Sequence, residues 1–586
     1  MTTINKTTTI NTPHAAVLIF NYLDRIPEDY SNVSDIDKTY PNIISTLSCV
    51  SIQTSKSKSD PQGSFNLVLA PTKNWVAQLT PGSWCVLMMS QEPIVAKDFQ
   101  KANAKLVKMV GKIDSVRVDT QVQDDGSRKS LYYVTGIDWG HIMHSILYID
   151  PLINDTTGTD AGQGSAIFVA IRDAMMNKGG TPSTFLVKDN LSSLLQLFGT
   201  SLGGLTEAGN DINRLASSIY TFRIPDAMVN FFNFVGPQGQ HVKNNEINKF
   251  ITLRTGSLVA KDSYIDYGEA AGFINPFTFQ GANSIWQILL DNSNPALNEM
   301  YCEMVWGKGS NKDPNSLQFV IHNRIRPFAF KQFNPKAGSP GRLKSYFQYI
   351  AQHNIDSNTV LSVNAGTNWA DKYNFIEIKP DFQDFAIFGN WVKQKSQISD
   401  QAAFSREGFR PLIVNTKQFP RNTKQKTGDT SLNADIDWSQ LEVWVALMKD
   451  WYFDTHRMLN GSITFTGTTE YIAVGNNIKF DVQLVNPTQN MTKLQNTATI
   501  QDGYFILGHI ESISNSFTVN DSGARSYITT VQFVRGIVVN SKNVAYGDGT
   551  LDALSSAMTI NTLKNTTNTL STSDSQDPDP QKVRGN

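Results

Sequence analysis

Three constellations in this chain have the residue types that chemistry requires. Gly199-Thr200-Ser201-Leu202-Gly203 carries the letters of a G-x-S-x-G nucleophile elbow, in which a serine attacks from a strained strand-to-helix turn. Here Leu191 to Phe198 has helical spacing, and Gly203-Gly204 breaks the chain on the other side of the serine. The spacing therefore predicts a linker between helices rather than a hydrolase site. His141 and His144 stand three apart just after Trp139, and one helical turn could place both on one face, as a shared metal needs. No third His, Cys or carboxylate stands at ligand spacing, which leaves capping or packing. Asp114 and Glu511 occupy matching places in two similar segments. A carboxylate pair could do acid–base work, but each more naturally faces solvent or a neighbouring subunit. No H-E-x-x-H, Walker-type loop or dinucleotide fingerprint is present. The sequence assigns no catalytic, cofactor-binding or metal-ligating residue, and the expectation is a protein that is not an enzyme.

The elements that would position these residues are mainly β. Ile44 to Ile52 alternates small or polar with apolar residues; Ser64 to Leu69, Trp84 to Met89, Lys105 to Asp119 and Ser130 to Ile137 come next. Asp125-Gly126 marks a hairpin between the last two, and short strands joined this way predict an antiparallel barrel or sandwich. The middle changes character. Ala166 to Met176, Leu191 to Phe198 and Glu207 to Tyr220 have helical spacing, continued through Ala227 to Phe234. Ser284 to Leu290 reads as a helix and Gln318 to Asn323 as a strand. Trp438 to Leu459, with Leu441, Val445, Met448, Tyr452 and Leu459 apolar, is the strongest helix candidate. β pattern returns from Ser462 to Val539. Phe222, Met228, Phe231, Phe232 and Phe234 form an apolar cluster that predicts core packing or, second, a subunit interface.

The chain has 51 basic and 52 acidic residues, a formal net charge of -1, and only 18% charged residues. A balanced charge argues against nucleic acid or an anionic membrane as main partner, since that affinity comes from clustered Lys and Arg. Forty per cent hydrophobic residues can build packed cores, and 586 residues exceed the size of one core. Cys49, Cys85 and Cys302 are too few and scattered for a disulfide scaffold. The N-terminus lacks the order of a signal peptide, and no stretch approaches ~18 apolar residues, so no membrane insertion is expected. Asn-x-Ser/Thr triplets such as Asn32, Asn154, Asn190, Asn460 and Asn490 arise from an Asn/Thr-rich composition.

The two β regions echo each other. Gly111-Lys112-Ile113-Asp114-Ser115-Val116, a turn at Asp125-Gly126-Ser127-Arg128, and Tyr132 to Gly136 match Gly508-His509-Ile510-Glu511-Ser512-Ile513, a turn at Asp521 to Arg525, and Val531 to Gly536. Upstream, Pro81-Gly82-Ser83-Trp84-Cys85-Val86 matches Val474-Gly475-Asn476-Asn477-Ile478-Lys479 in turn-then-strand character. A duplicated barrel is the expectation. Three copies of a chain holding two similar barrels would make a ring of six similar units.

The segments GKIDSVRVD…LYYVTGIDW, APTKNW…LTPGSW, NPALNEMYCEMVWG with QFVIHNRIRPF, and HRMLNGSITFTGTTEYIAVGNNIKF…GYFILGHIESISNSF make the chain resemble baseplate hub proteins of bacteriophage contractile tails. These are similar to the N-terminal part of type VI secretion spike proteins. The likeness runs from Ile43 to Val539. It implies two tube-type antiparallel β-barrels per chain in a mainly β fold with α insertions (α+β), a homotrimer, and a place in the virion tail baseplate after assembly in the host cytoplasm. The implied partners are the tail tube protein or tube initiator above, the central spike protein below, baseplate wedge proteins around, and tape measure protein in the lumen, with DNA only in transit. The expected division is an N-terminal arm (1–42), a first barrel (43–150), an α-rich middle domain (151–345), a second barrel (346–540) with a helical insertion near 438–459, and a polar tail (541–586). A tail-associated cell-wall hydrolase and a receptor-binding tail protein stay open as alternatives.

Overall fold

A computed structural model describes residues 12–20, 42–44, 48–122, 128–145, 226–235, 298–306, 316–326, 351–380, 397–416, 455–468, 470–481, 504–520 and 522–540, with shorter pieces between. The strands, in chain order, are β1 (His14–Phe20), β2 (Asn42–Ile44), β3 (Cys49–Ser57), β4 (Ser64–Leu69), β5 (Trp84–Ser90), β6 (Val107–Val122), β7 (Arg128–Asp138), β8 (Leu147–Tyr148), β9 (Ile251–Thr255), β10 (Phe273–Ile274), β11 (Asn283–Ser284), β12 (Asn298–Trp306), β13 (Leu317–Ile325), β14 (Gln352–Asn354), β15 (Val360–Gly366), β16 (Phe375–Pro380), β17 (Gln397–Ser399), β18 (Pro411–Thr416), β19 (Gln418–Phe419), β20 (Leu459–Thr466), β21 (Asn477–Asp481), β22 (Tyr504–Val519) and β23 (Arg525–Asn540).

Thirteen of them form one sheet. Its main path runs β15-β20-β23-β22-β3-β4-β7-β6-β5-β1-β2, with β21 and β14 branching from β22. The first half is β1 to β7, the second is β14, β15 and β20 to β23, and the β22–β3 ladder joins them. The expected mainly β character holds with few helices. The two separate barrels appear as two halves of one continuous sheet, and no ladder among the described residues closes either half. Strands β12, β13 and β9 make a second sheet, and β17, β16 and β18 a third.

Period-two alternation explains how the first half carries two cores. Strands β1 and β5 are paired to each other and buried on both faces. Ala15, Val17, Ile19, Cys85, Leu87 and Met89 point into the interior of the first half with Ile52, Phe65, Leu67 and Val134. Ala16, Leu18, Phe20, Trp84, Val86 and Met88 point the other way, because successive side chains leave a strand on opposite faces. That second face packs on β12, β13 and the helix Asp226–Phe232. Met228, Phe231, Phe232 and Phe234 lie there with Trp139 and Phe319, whose rings stack at 4.6 Å. The core-packing reading of this cluster holds for those four; Phe222 lies outside the described residues. A third core fills the second half, with Ile463, Phe465, Ile478, Phe480, Ile510, Val531 and Phe533.

Several boundaries move. His14–Phe20, placed in an arm by the sequence, is a buried strand, because its unbroken apolar run suits a strand covered on both faces. Ile44 to Ile52 divides into β2 and β3 rather than one strand. Ser284 pairs with Leu147 in a short ladder instead of opening a helix, and helical residues come at 286–287. Leu459 starts β20 instead of closing a helix; helical residues at 444–445, 448–449 and 451–452 lie within the predicted span. The helices expected at Ala166–Met176, Leu191–Phe198 and Glu207–Tyr220, and the tail 541–586, fall outside the described residues. What is described of the middle region is largely β12, β13 and β9.

Candidate functional site: the junction of the two sheet halves

The sequence echo is a repeated hydrogen-bond pattern. β6–β7 and β22–β23 are both long antiparallel hairpins, turning at Gly126 (φ +77°) and Gly523 (φ +79°). Ile113 lies opposite Gly136 and Ser115 opposite Thr135, which leaves Asp114 as an extra residue. Ile510 lies opposite Phe533 and Ser512 opposite Gln532, which leaves Glu511 as the extra residue in the same place. Each acid is thus a β-bulge that bends its hairpin.

The likeness extends outward in register. Gly111 pairs with Cys85 as Gly508 pairs with Ile478. The Gly82 N–H donates to the Ile113 carbonyl at 2.7 Å, and the Gly475 N–H to the Ile510 carbonyl at 3.0 Å. Ile113 N–H returns to Ser83 O, and Ile510 N–H to Asn476 O, both at 2.9 Å. Gly82 and Gly475 both have positive φ (87° and 75°), where L side chains are strained. β4 packs beside β7 and β3 as β20 packs beside β23 and β15. Both outer ladders even skip one residue at the same point, Val50 in β3 and Leu361 in β15. The halves differ where β14 pairs with β21 in parallel, and where Arg535 (φ 57°) inserts a second bulge into β23.

A buried polar seam lies where the halves meet. β12 turns Met300, Cys302 and Met304 into one core and carries Glu299, Tyr301 and Glu303 on its other face, all buried. The Lys58 ammonium, from the end of β3, reaches Glu299 at 3.0 Å and also pairs with Glu511. His509 Nε2 lies 3.2 Å from Glu299, and its Nδ1 3.2 Å from Asn477 Oδ1. Glu303 accepts from the backbone N–H groups of Met304 and Val474, each at 2.8 Å, and from the Tyr471 hydroxyl. Burial pushes the Glu303 carboxyl up, against the opposing pull of Lys56 and these donors. Burial pulls the Lys56 ammonium down, but Asp138 and Glu303 outweigh it and hold it above its ordinary value; Lys56 pairs directly with Asp138. Buried charges persist only when paired and hydrogen-bonded in this way. The seam ties β3, β7, β12, β21 and β22 together; its chemistry is cohesion.

The residues singled out in the sequence do not converge. His141 is buried with Nδ1 2.8 Å from the Asp138 carbonyl, and burial lowers its pKa. The His144 side chain is 42% exposed and faces Asp60 at 3.5 Å. His141 thus packs inward while His144 meets solvent. Asp114 is exposed, while Glu511 is held by Lys58, so the two acids serve separate hairpins. Gly199 to Gly203 lies outside the described residues. Among the described residues no three His, Cys, Asp or Glu side chains gather as for a metal. Sequence reasoning missed the seam itself. Its signal was present as Glu299 and Glu303 in the apolar β12 run, and as Lys56 and Lys58 at the end of β3.

No family model matches the chain, and no curated protein matches it. Among solved structures, it is similar to a tail protein from Neisseria meningitidis at a TM-score of 0.38 and 9% identity, covering 92% of this chain and 99% of that one. It is also similar to the 43 kDa tail protein of prophage MuSo2 from Shewanella oneidensis, at a TM-score of 0.34 and 12% identity, covering 92% and 100%. A third is the Francisella PdpA-VgrG complex in its half-lidded state, at 0.34 and 6% identity. There 90% of this chain is covered, and it spans 58% of that chain.

Proposed function

We propose that this chain is a structural protein of a bacteriophage tail baseplate, acting as its hub. The observation that carries this reading is the repeated register: one chain holds two β units with the same long hairpin, the same bulge and the same Gly-turn hydrogen bonds. Three copies would then present six similar units around an axis. Such a ring fits a hexameric tail tube or tube initiator on one side and a threefold central spike on the other, with baseplate wedge proteins around it. Each sheet half would be one tube-type barrel unit, and the middle region 151–345 and tail 541–586 would be additions to that frame. The lumen would pass tape measure protein and DNA, and a near-neutral chain suits a channel that must not grip a polyanion. The function is interface geometry, with no bond made or broken. In this reading the protein resides in the virion tail, contractile in type.

Mass measurement of the purified full chain, with electron micrographs of the same sample, tests this. The expected result is a trimer that forms a ring with a central hole. A stable monomer at tens of micromolar would sink it.

A further inference from the structure

Within the chain, the β22–β3 ladder joins a hairpin of one half to an outer strand of the other. Ser512 to Thr518 pair with Ser57 to Ser51, Ser516 lying opposite Gln53 and Phe517 opposite Ile52. By the shared register of the two halves, β22 corresponds to β6 and β3 to β15. The corresponding edges of β6 and β15 carry no ladder among the described residues: β5 covers β6 only as far as Lys112, and β15 pairs only with β20. Among the described residues there is therefore one internal junction and the two separated sides of a second. An open strand edge presents N–H and C=O groups that seek another strand.

The side chains on these open edges match the internal junction. Val118 and Val122 are 51% and 68% exposed, and Leu361 is 59% exposed. Their counterparts in the closed junction are covered: Asn515, in the place of Val118, is 9% exposed, and Val519, in the place of Val122, packs on the first core. Phe517 and Tyr527, near the tip of the β22–β23 hairpin, also cap that first core. Among the described residues no such core lies beneath the tip of β6–β7, while Val360, Val363 and Ala365 of β15 lie half-buried at the rim of the second core. Charge agrees as well. In the internal junction Lys58 holds the bulge acid Glu511. The equivalent acid, Asp114, is exposed, and the place of Lys58 is taken by Trp369, which carries the Arg410 guanidinium 3.3 Å from its ring.

We propose that β15 of one copy adds antiparallel to the distal half of β6 in a second copy, in the register that β3 and β22 use within one chain. Asp119 then lies opposite Asn364, Val118 opposite Ala365 and Thr120 opposite Val363, and Asp114 meets Arg410. The contact is head-to-tail, since each copy supplies one edge of each kind, and such contacts close into rings when the rotation allows. This junction rests on the multi-copy assembly proposed for the chain and specifies the strands that make it.

The test uses the full chain carrying Asp119→Cys and Asn364→Cys, both exposed positions, oxidised and run on non-reducing gels beside a native mass measurement. Facing residues of an antiparallel pair fall within the Cα reach of a disulfide, ~4.4–6.8 Å. The expected result is covalent links between copies, each single variant giving none. Asp119→Cys with Leu361→Cys, offset by about 10 Å along the strand, should also give none. Ser516→Cys with Gln53→Cys should link within one chain and calibrates the internal junction. Val118→Lys should weaken association at least about tenfold, as an uncompensated charge against an apolar neighbour does. A multi-copy native mass without the Asp119–Asn364 link overturns this junction and leaves the assembly reading standing. A monomeric wild type overturns both.

Discussion

Lys58 and Glu511 meet twice: the Lys58 backbone N–H donates to the Glu511 carbonyl at 2.7 Å, and the two side chains form an ion pair. The bulge that makes Glu511 an extra residue in its hairpin thus aims both its carbonyl and its carboxylate at the other half of the sheet. Lys58 also neutralises Glu299 in the seam, where the side chains are 8% and 2% exposed. Removing Lys58 takes that ammonium away from a carboxylate that stays buried, with His509 Nε2 3.2 Å from it. Lys58→Met should therefore lower stability by about 3–5 kcal/mol, the usual cost of breaking a buried pair. Lys58→Met with Glu299→Leu should recover a large part of that loss. Denaturant unfolding of the two variants beside the wild type decides it; equal losses in single and double variants would refute the account.

Gly82 and Gly475 provide a matched pair of turns with different surroundings. Both have positive φ, so alanine at either carries backbone strain of about 1–3 kcal/mol. At Gly82 a Cβ meets nothing within 4 Å, whereas at Gly475 it would sit 2.4 Å from the Tyr301 ring. That ring is buried and stacked on His322 at 4.8 Å, so it has little room to yield. Gly475→Ala should destabilise by at least about 1 kcal/mol more than Gly82→Ala. Comparable melting shifts for the two would show that the second unit's turn is looser than its packing indicates.

Cys49, Cys85 and Cys302 are 3%, 0% and 0% exposed. Burial pushes the Cys49 thiol up to about 12 and raises the other two as well. A thiol reagent acts on the thiolate, so a disulfide reagent at pH 8 should label no cysteine in the folded chain and three after denaturation. Fast labelling of the native protein would mean that one of the three cores opens readily.

The β halves were legible because their cues are local. Alternation in Ser64–Leu69 gave β4 with its observed bounds, and Asp125-Gly126 marked the β6–β7 hairpin. The echo of Gly111 to Val116 with Gly508 to Ile513 was legible for the same reason, since a bulge, a turn and a strand each leave a short pattern. What depends on distant partners was not. The apolar run of His14–Phe20 suits a buried strand, but its place in the sheet comes from β2 and β5, which flank it from further along the chain. Leu459 fits a helical spacing but pairs with Gly536, where tertiary pairing overrides periodicity. The seam was missed because a Lys in β3 acquires its meaning only from a Glu in β12, far along the chain.

Lys108 gives a test that depends on proton linkage. It is 6% exposed on β6, and its ammonium donates to the backbone carbonyls of Lys105 and Glu470, each at 2.9 Å. Burial lowers its pKa to about 7, against a smaller raising effect of Glu470. The unfolded chain keeps that lysine protonated up to its ordinary value near 10.5, so between pH 7 and 10 the unfolded state holds more protons than the folded one. Stability must then rise with pH in this window, by at most about 1.4 kcal/mol per pH unit from this group. Lys108→Met removes the linked proton. Its stability relative to the wild type should be most favourable near pH 7 and decline steadily toward pH 10. The lost hydrogen bonds to Lys105 and Glu470 add an offset that does not vary with pH, and Lys112, which burial lowers to about 8, is present in both proteins and cancels. Unfolding free energies measured at four pH values across the window suffice. Parallel curves for the two proteins would show that Lys108 stays charged in the fold and that its site is wetter than its burial implies.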